Sequence, residues 1–364
     1  MIVMLGSGSV DYITIIKYAI LVFPVVAFLI TIPFILLQYH KYGSILFMKT
    51  VITYLFVLYL MCAYFLIILP LPSRDSVLKL TTPRIQLIPF KFVFDFIRET
   101  SFNLFSFKTY LVAIKESCFY VPIFNILLTM PFGIYLRYYL KCDLKRTVFF
   151  TFLLSLFFEL TQLSGLYFIY PRGYRLCDVD DLILNTLGGL IGYFGAGILI
   201  KFLPSRDELD KTARVKGRNV SGFKRTVAFF LDLFLFFLFD GFLLVKLPYY
   251  YSIIVITLYY FVVPSFFRGK TLGESFLNLM ISDMDGLCNI KRIIYRRILF
   301  IIFYVVSPYI LFRLLSFSRH SFIVAILIVW WFVFFIVSAF KYLFTDSQLL
   351  FERLSKTKII STIK

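Results

Sequence analysis

The residues best equipped for chemistry lie between Phe158 and Gly197. Glu159 and Gln162 stand three apart inside an apolar run, so a helix puts them on one face. A charge at that depth costs about 2.5–3.5 kcal/mol or more, which makes it a functional candidate. Arg175, Asp178, Asp180 and Asp181 follow at the exit from that run. Asn185 lies one turn into the next run, on the face of Asp181, and Gly188 and Gly192 continue that face as a GxxxG pair that admits a neighbouring helix. Carboxylates, amides and an arginine around one hairpin could bind a polar ligand, carry protons or ions, or serve as acid and base. The plainer alternative is that Glu159 is held by Arg175 or another buried partner, while the aspartates cap the following helix.

These residues need a scaffold, and composition says which kind. The chain has 364 residues, 60% hydrophobic and only 16% charged, with 47 Phe and 25 Tyr. A soluble globular chain runs at about 45–50% apolar and about 25% charged. An ordinary soluble enzyme, a disordered chain and a disulfide-knotted secreted domain are all excluded. The net charge of +18 is spread over short stretches between apolar runs. It reads as membrane topology and contact with lipid headgroups, with no nucleic acid as partner. Cys62, Cys118, Cys142, Cys177 and Cys288 show no CxxC or zinc spacing, and His40 and His320 cannot anchor a cluster. No cofactor is implied, and no metal is assigned.

The expected fold class is all-α: a polytopic integral membrane protein with about nine transmembrane helices in two bundles, each span about 20 residues. The spans read as Tyr12–Leu37, Ile45–Leu69, Ser117–Leu140, Thr147–Tyr170, Leu182–Leu203, Val227–Leu247, Tyr249–Phe267, Ile298–Leu315 and Phe322–Tyr342. The first carries Lys17 and lacks a small-residue cleavage site, so it reads as an uncleaved signal anchor. Basic stretches at Arg137–Arg146, Lys201–Arg225, Arg268–Arg297 and after Lys341 share one side if the N-terminus is outside and the C-terminus cytoplasmic. Pro70–Glu116 dissents, and long loops obey the charge rule weakly. The charged stretch Pro204–Gly222 reads as a linker. The expected domains are residues 1–49, 50–203 and 222–362, with the linker over 204–221.

The order E-x-x-Q, then R-x-x-D-x-D-D-x-x-x-N-T-L-G-G, resembles the VanZ-like family. Arg84-Ile-Gln-Leu-Ile-Pro-Phe90 and Asn125-Ile-Leu-Leu-Thr-Met-Pro-Phe-Gly133 are similar to two further family segments, with Gln86 where the family has Asn. The resemblance covers residues 50–203. Pro131 and Gly133 are expected to kink the third span and free backbone groups toward a polar cavity. Arg84, Asn125, Glu159, Gln162, Arg175, Asp178, Asp181 and Asn185 are the expected binding residues. Family membership implies a cell-envelope role and low-level teicoplanin-type glycopeptide resistance, with no established reaction.

Beyond the linker, Arg225 and Asp232 stand seven apart on one helix face, and the tail reads Phe351-Glu-Arg-Leu-Ser-Lys-Thr-Lys-Ile-Ile360. These pieces resemble the RDD family, with Glu352 in place of its last Asp and Phe351 in place of its His. Arg225, Asp232 and Glu352 are the expected inner cluster, with Arg225 paired to Asp232 and joined by Glu352. Gly269–Gly273 lacks the GxxxxGK[ST] pattern of a phosphate loop.

Three functions compete. One is a non-enzymatic envelope protein binding a lipid-linked cell-wall precursor or a glycopeptide at the outer surface, with Arg84 or Arg175 on a pyrophosphate headgroup. The second is a proton- or sodium-coupled transporter using Glu159 and Asp232. The third is an embedded hydrolase or transferase with Glu159 and Asp181 as acid and base, for which the chain shows no nucleophile motif.

Overall fold

The computed structural model describes residues 12–100, 102, 105–242, 259–264, 266–284, 289–317, 321–345 and 348–363. The protein is mostly helical. Seven described helices are long and apolar enough to cross a membrane: Thr14–Tyr42, Phe47–Ile68, Ser117–Tyr138, Leu144–Leu163, Val179–Leu199, Ile290–Leu314 and Phe322–Phe344. The span expected over Val227–Leu247 begins in a helix at Gly222–Phe242. Its end, and most of the span expected at Tyr249–Phe267, lie outside the described residues. The chain forms two compact units, the first Met1–Leu29 with Met48–Leu209, the second Ile30–Phe47 with Asp210–Lys364.

In chain order, the helices of the first half are α1 (Tyr12–Tyr42), α2 (Phe47–Ile68), α3 (Arg74–Leu78), α4 (Lys91–Glu99), α5 (Phe107–Ala113), α6 (Ser117–Tyr138), α7 (Leu144–Leu163), the single turn α8 (Gly165–Phe168) and α9 (Val179–Leu199). Helix α7 starts three residues before the expected span because Asp143 caps it, accepting from Arg146 N at 2.8 Å. It ends seven residues early because the chain reverses at Gly165, Leu166, Tyr167 and Phe168, all with φ between 57° and 68°. Four successive left-handed residues cannot continue a right-handed helix.

Helices α6 and α9 run parallel and in register. Asn125 meets Asp181, Thr129 meets Asn185, and Arg137 meets Tyr193, each pair 56 residues apart. Gly133 and Gly189 fill the rung between: a Cβ on Gly133 would lie 2.0 Å from Gly189 O. A Cβ on Gly188 would meet Ile126 O at 2.2 Å, and one on Gly192 would meet Met130 O at 2.1 Å. The expected GxxxG contact is therefore real, and its partner is α6. Lipid offers little drive to bring apolar helices together, so backbone approach at small residues carries such packing. On α7, Thr147, Thr151, Ser155, Phe158, Glu159 and Gln162 are buried along one stripe. Thr151 sits where a Cβ on Gly189 would lie 2.2 Å from its hydroxyl.

Helix α6 is continuous through Pro131. Close by, Tyr59 donates to Leu128 O at 2.7 Å.

The charged stretch after α9 forms a helix, α10 (Arg206–Gly217), with Ala213 fully buried. The second unit contains α11 (Gly222–Phe242), the helices Ile290–Ile301 and Ser321–Phe344, and an antiparallel pair of strands, Leu279–Asp283 with Thr357–Ser361. This pair was not expected from an all-α reading. Leu279 and Ile281 point inward and alternate with the strand, a period-2 pattern too short to stand out among longer apolar runs.

Candidate functional site

In the first unit the polar residues gather at one end, where α6 and α9 begin and α2 and α7 finish. Asp178 caps α9, its carboxylate accepting from Asp180 N at 2.9 Å. The chain entering the cap is held by a two-residue parallel strand pair, Ile85–Gln86 beside Cys177–Asp178. Cys177 N donates to Arg84 O at 3.0 Å. Gln86 extends the contact, giving its Nε2 to Asp178 Oδ1 at 3.1 Å and to Ile88 O at 2.8 Å. Burial holds the half-buried Asp178 carboxyl above its ordinary range, and the neighbouring Asp180 charge adds to this.

Asp180 does something different. Its Oδ1 accepts from Phe90 N at 2.5 Å and its Oδ2 from Phe92 N at 2.9 Å. Phe90 is left-handed, with φ 61°, and opens α4 without a side-chain cap of its own. The Asp180 carboxylate supplies the missing acceptor from 90 residues away and fastens the loop to α9.

Glu159 is buried, and its Oε2 accepts from Asp178 N at 2.9 Å. The Cys177 thiol lies beside it. Burial first, and the Glu159 charge second, push that thiol up to about 11. The charges acting on Glu159 are those of Asp181 and Asp178. Asp181 is half-buried; its Oδ1 takes the Asn125 amide at 2.5 Å and its backbone carbonyl takes Ser155 Oγ at 3.3 Å. Asn185 donates to Ser155 Oγ at 2.9 Å, and its carbonyl accepts from Thr129 at 2.6 Å.

Two expected partners are committed elsewhere. Arg175 does not pair with Glu159. Its guanidinium donates to Leu66 O at 3.3 Å and also to Leu69 O. Gln162 Nε2 reaches Ile67 O at 3.4 Å, and Tyr174 OH reaches Ile68 O at 2.6 Å. The closing carbonyls of α2 are thus capped by side chains from the α7–α9 hairpin, which is how a helix end satisfies acceptors it cannot bond internally. Burial pushes the Tyr174 phenol up to about 12. Arg172 serves the preceding loop, donating to Thr82 O at 2.5 Å and to Leu80 O. Arg84 is exposed, with no side-chain partner among the described residues.

The structure therefore brings Asn125, Glu159, Asp178, Asp181 and Asn185 together, makes Gln162 and Arg175 caps of α2, and leaves Arg84 at the rim. Ser155, Thr129 and Cys177 belong to the same network. The first two were legible by spacing, one turn before Glu159 and one turn after Asn125. No group of three or more His, Cys, Asp and Glu side chains among the described residues could hold a metal ion.

In the second unit Arg225 does not pair with Asp232. Arg225 Nη1 lies 3.8 Å from Glu352 Oε1, while Arg296 Nη2 lies 2.7 Å from the same oxygen. Glu352 Oε2 accepts from Leu349 N at 2.9 Å. Asp232 accepts from Tyr259 OH, Thr271 Oγ1 and Gly273 N, each at 2.6 Å. It anchors the Thr271–Glu274 capping box, an N-terminal device of Ser/Thr-x-x-Glu type. Seven residues on one face did not make a pair because better donors approach from outside α11.

Residues 56–203 match the VanZ/LLP1 family model. That stretch contains the α6–α7–α9 core and every one of the expected binding residues from Arg84 to Asn185. The VanZ-like domain is linked to glycopeptide (teicoplanin) resistance. No curated protein and no solved structure matches the chain. The match stops at residue 203, so the RDD resemblance rests on the residues quoted for it.

Proposed function

We propose that this is a non-enzymatic cell-envelope membrane protein that contributes to glycopeptide tolerance, with the polar end of its VanZ-like unit as the working site. The observation that carries the reading is the construction of that end. Helices α6 and α9 are locked at backbone distance by Gly133, Gly188 and Gly192, and Thr151 of α7 seats on Gly189. The three helices present Asn125, Asp181 and Asn185 as one network bonded through Ser155, with Glu159 beside it on Asp178 N. Rigid elements positioning convergent polar groups are what a binding site requires. The basic loops support an orientation with this end outside and the C-terminus cytoplasmic. There the cluster would meet a lipid-linked cell-wall precursor or the antibiotic.

The test is expression in a glycopeptide-sensitive strain. Teicoplanin susceptibility should fall at least severalfold with the full chain, and return to the vector level in Glu159→Gln at equal membrane abundance. An unchanged susceptibility with the full chain would overturn the reading. A transporter would instead show ion-coupled flux lost in Glu159→Gln.

A further inference from the structure

The polar end of the first unit is rich in acceptors and poor in free donors. Asn185 is 4% exposed and Gln162 8% exposed, and the side-chain oxygen of each has no hydrogen-bond partner among the described residues. Both lie on the faces that carry the carboxylates: Asn185 is one turn from Asp181, and Gln162 is one turn from Glu159. Asn185 spends its own amide on Ser155, itself bonded to the Asp181 carbonyl, which leaves Oδ1 as a buried acceptor without a donor beside this network. A buried acceptor left without a donor costs about 1–3 kcal/mol, and a ligand donor removes that cost.

The nearby donors are engaged. Arg172 and Arg175 face backbone carbonyls, and the Asn125 amide is already on Asp181. An anionic headgroup entering here would meet Glu159, Asp178 and Asp181 with only the exposed Arg84 outside. A metal ion fits poorly as well. A hard cation takes about six to eight oxygens, and among the described residues no three acidic or thiol groups converge for one. A protonated amine asks for less: three N–H donors and a negative neighbour.

We propose that this site seats a protonated amine, with the Asp181 carboxylate as counter-charge and Asn185 Oδ1 as the acceptor that fixes it. The inference rests on the reading of this end as the working site, and narrows its ligand from pyrophosphate-bearing to amine-bearing. Glu159 stays behind, holding Asp178 N and thereby the start of α9.

The test uses the full chain in phosphatidylcholine nanodiscs, with ethanolammonium chloride as probe and thermal unfolding as readout. Ethanolammonium should raise Tm saturably. Tetramethylammonium, which has no N–H, sodium pyrophosphate and magnesium chloride at equal ionic strength should not. Asp181→Asn should raise the apparent Kd for ethanolammonium at least tenfold, while Asp207→Asn, at the Lys141 ion pair, leaves it unchanged. The salt comparison needs only the wild-type chain, so a misfolded variant does not blunt the test. A stabilisation by pyrophosphate or magnesium equal to that of ethanolammonium, no ethanolammonium effect, or full retention of it in folded Asp181→Asn would overturn the proposal. Binding without any tolerance in cells would sink the functional reading alone. Tolerance with no amine selectivity would sink this inference alone.

Discussion

Asn125 donates its amide to the Asp181 carboxylate at 2.5 Å across the α6–α9 contact. That bond is the first rung of a register that repeats every four residues down to Arg137 and Tyr193. The polar end and the glycine packing are thus one device. The carboxylate is placed by how closely the two helices approach one or two turns further along.

Packing at the third rung can be tested by adding a methyl group. Gly133→Ala sets a Cβ against the Gly189 backbone at 2.0 Å, whereas at Gly195 a Cβ meets nothing within 4 Å. Gly133→Ala should destabilise by about 1–3 kcal/mol, the usual range for overpacking, and Gly195→Ala should be neutral or better. Detergent unfolding midpoints check this, and equal midpoints would show that α6 and α9 are not in backbone contact.

In the second unit the ion pair to break is the one at 2.7 Å. Arg296→Ala should cost about 3–5 kcal/mol, since it strips Glu352 of its nearest cation in a buried setting. Arg225→Ala, at 3.8 Å, should cost less. A double-mutant cycle should give coupling between Arg296 and Glu352, and additivity between Arg225 and Asp232. Strong coupling in the second cycle would restore the pair expected from spacing.

Asp180 is assigned a structural role, and backbone exchange reports on it. Asp180→Asn should raise hydrogen exchange at Phe90 N and Phe92 N at least tenfold, because the charged acceptor shared by both is weakened. Exchange confined to α9, with Phe90 and Phe92 unaffected, would refute the assignment.

Cys177 offers a chemical probe of Glu159. With its thiol pushed up to about 11, only about one molecule in a thousand is thiolate at pH 8. Iodoacetamide labelling should therefore be slow at pH 8 and accelerate about tenfold per pH unit toward 10. Glu159→Gln removes the negative neighbour and should speed labelling at pH 8. An unchanged rate in that variant would place Glu159 away from the thiol.

Much of this arrangement could be read from the chain. Asp181 with Asn185 and Gly188 with Gly192 fall on one helix face by period alone, and a helix face is what the structure uses. The seven described spans follow from apolar length, which the bilayer dictates. Long-range choices were not legible. Arg175 was expected at Glu159 because it is near in sequence, yet it caps α2 about 106 residues away. Asp232 had a basic neighbour two turns off and took neutral donors from Thr271 and Gly273. In both cases local spacing offered one partner, and tertiary packing supplied others with better geometry. The helix at Arg206–Gly217 was hidden by its charge, since composition there suggested a linker and said nothing of the buried Leu209 and Ala213.

We propose that the carboxylate end of the VanZ-like unit does the work, and one comparison tests this most directly. Teicoplanin susceptibility is measured in one sensitive strain expressing the parent chain, Asp181→Asn or Asp207→Asn at matched membrane abundance. Asp181→Asn should fall to the vector level while Asp207→Asn protects like the parent. Full protection by Asp181→Asn would contradict it and leave the cluster a structural feature of the bundle.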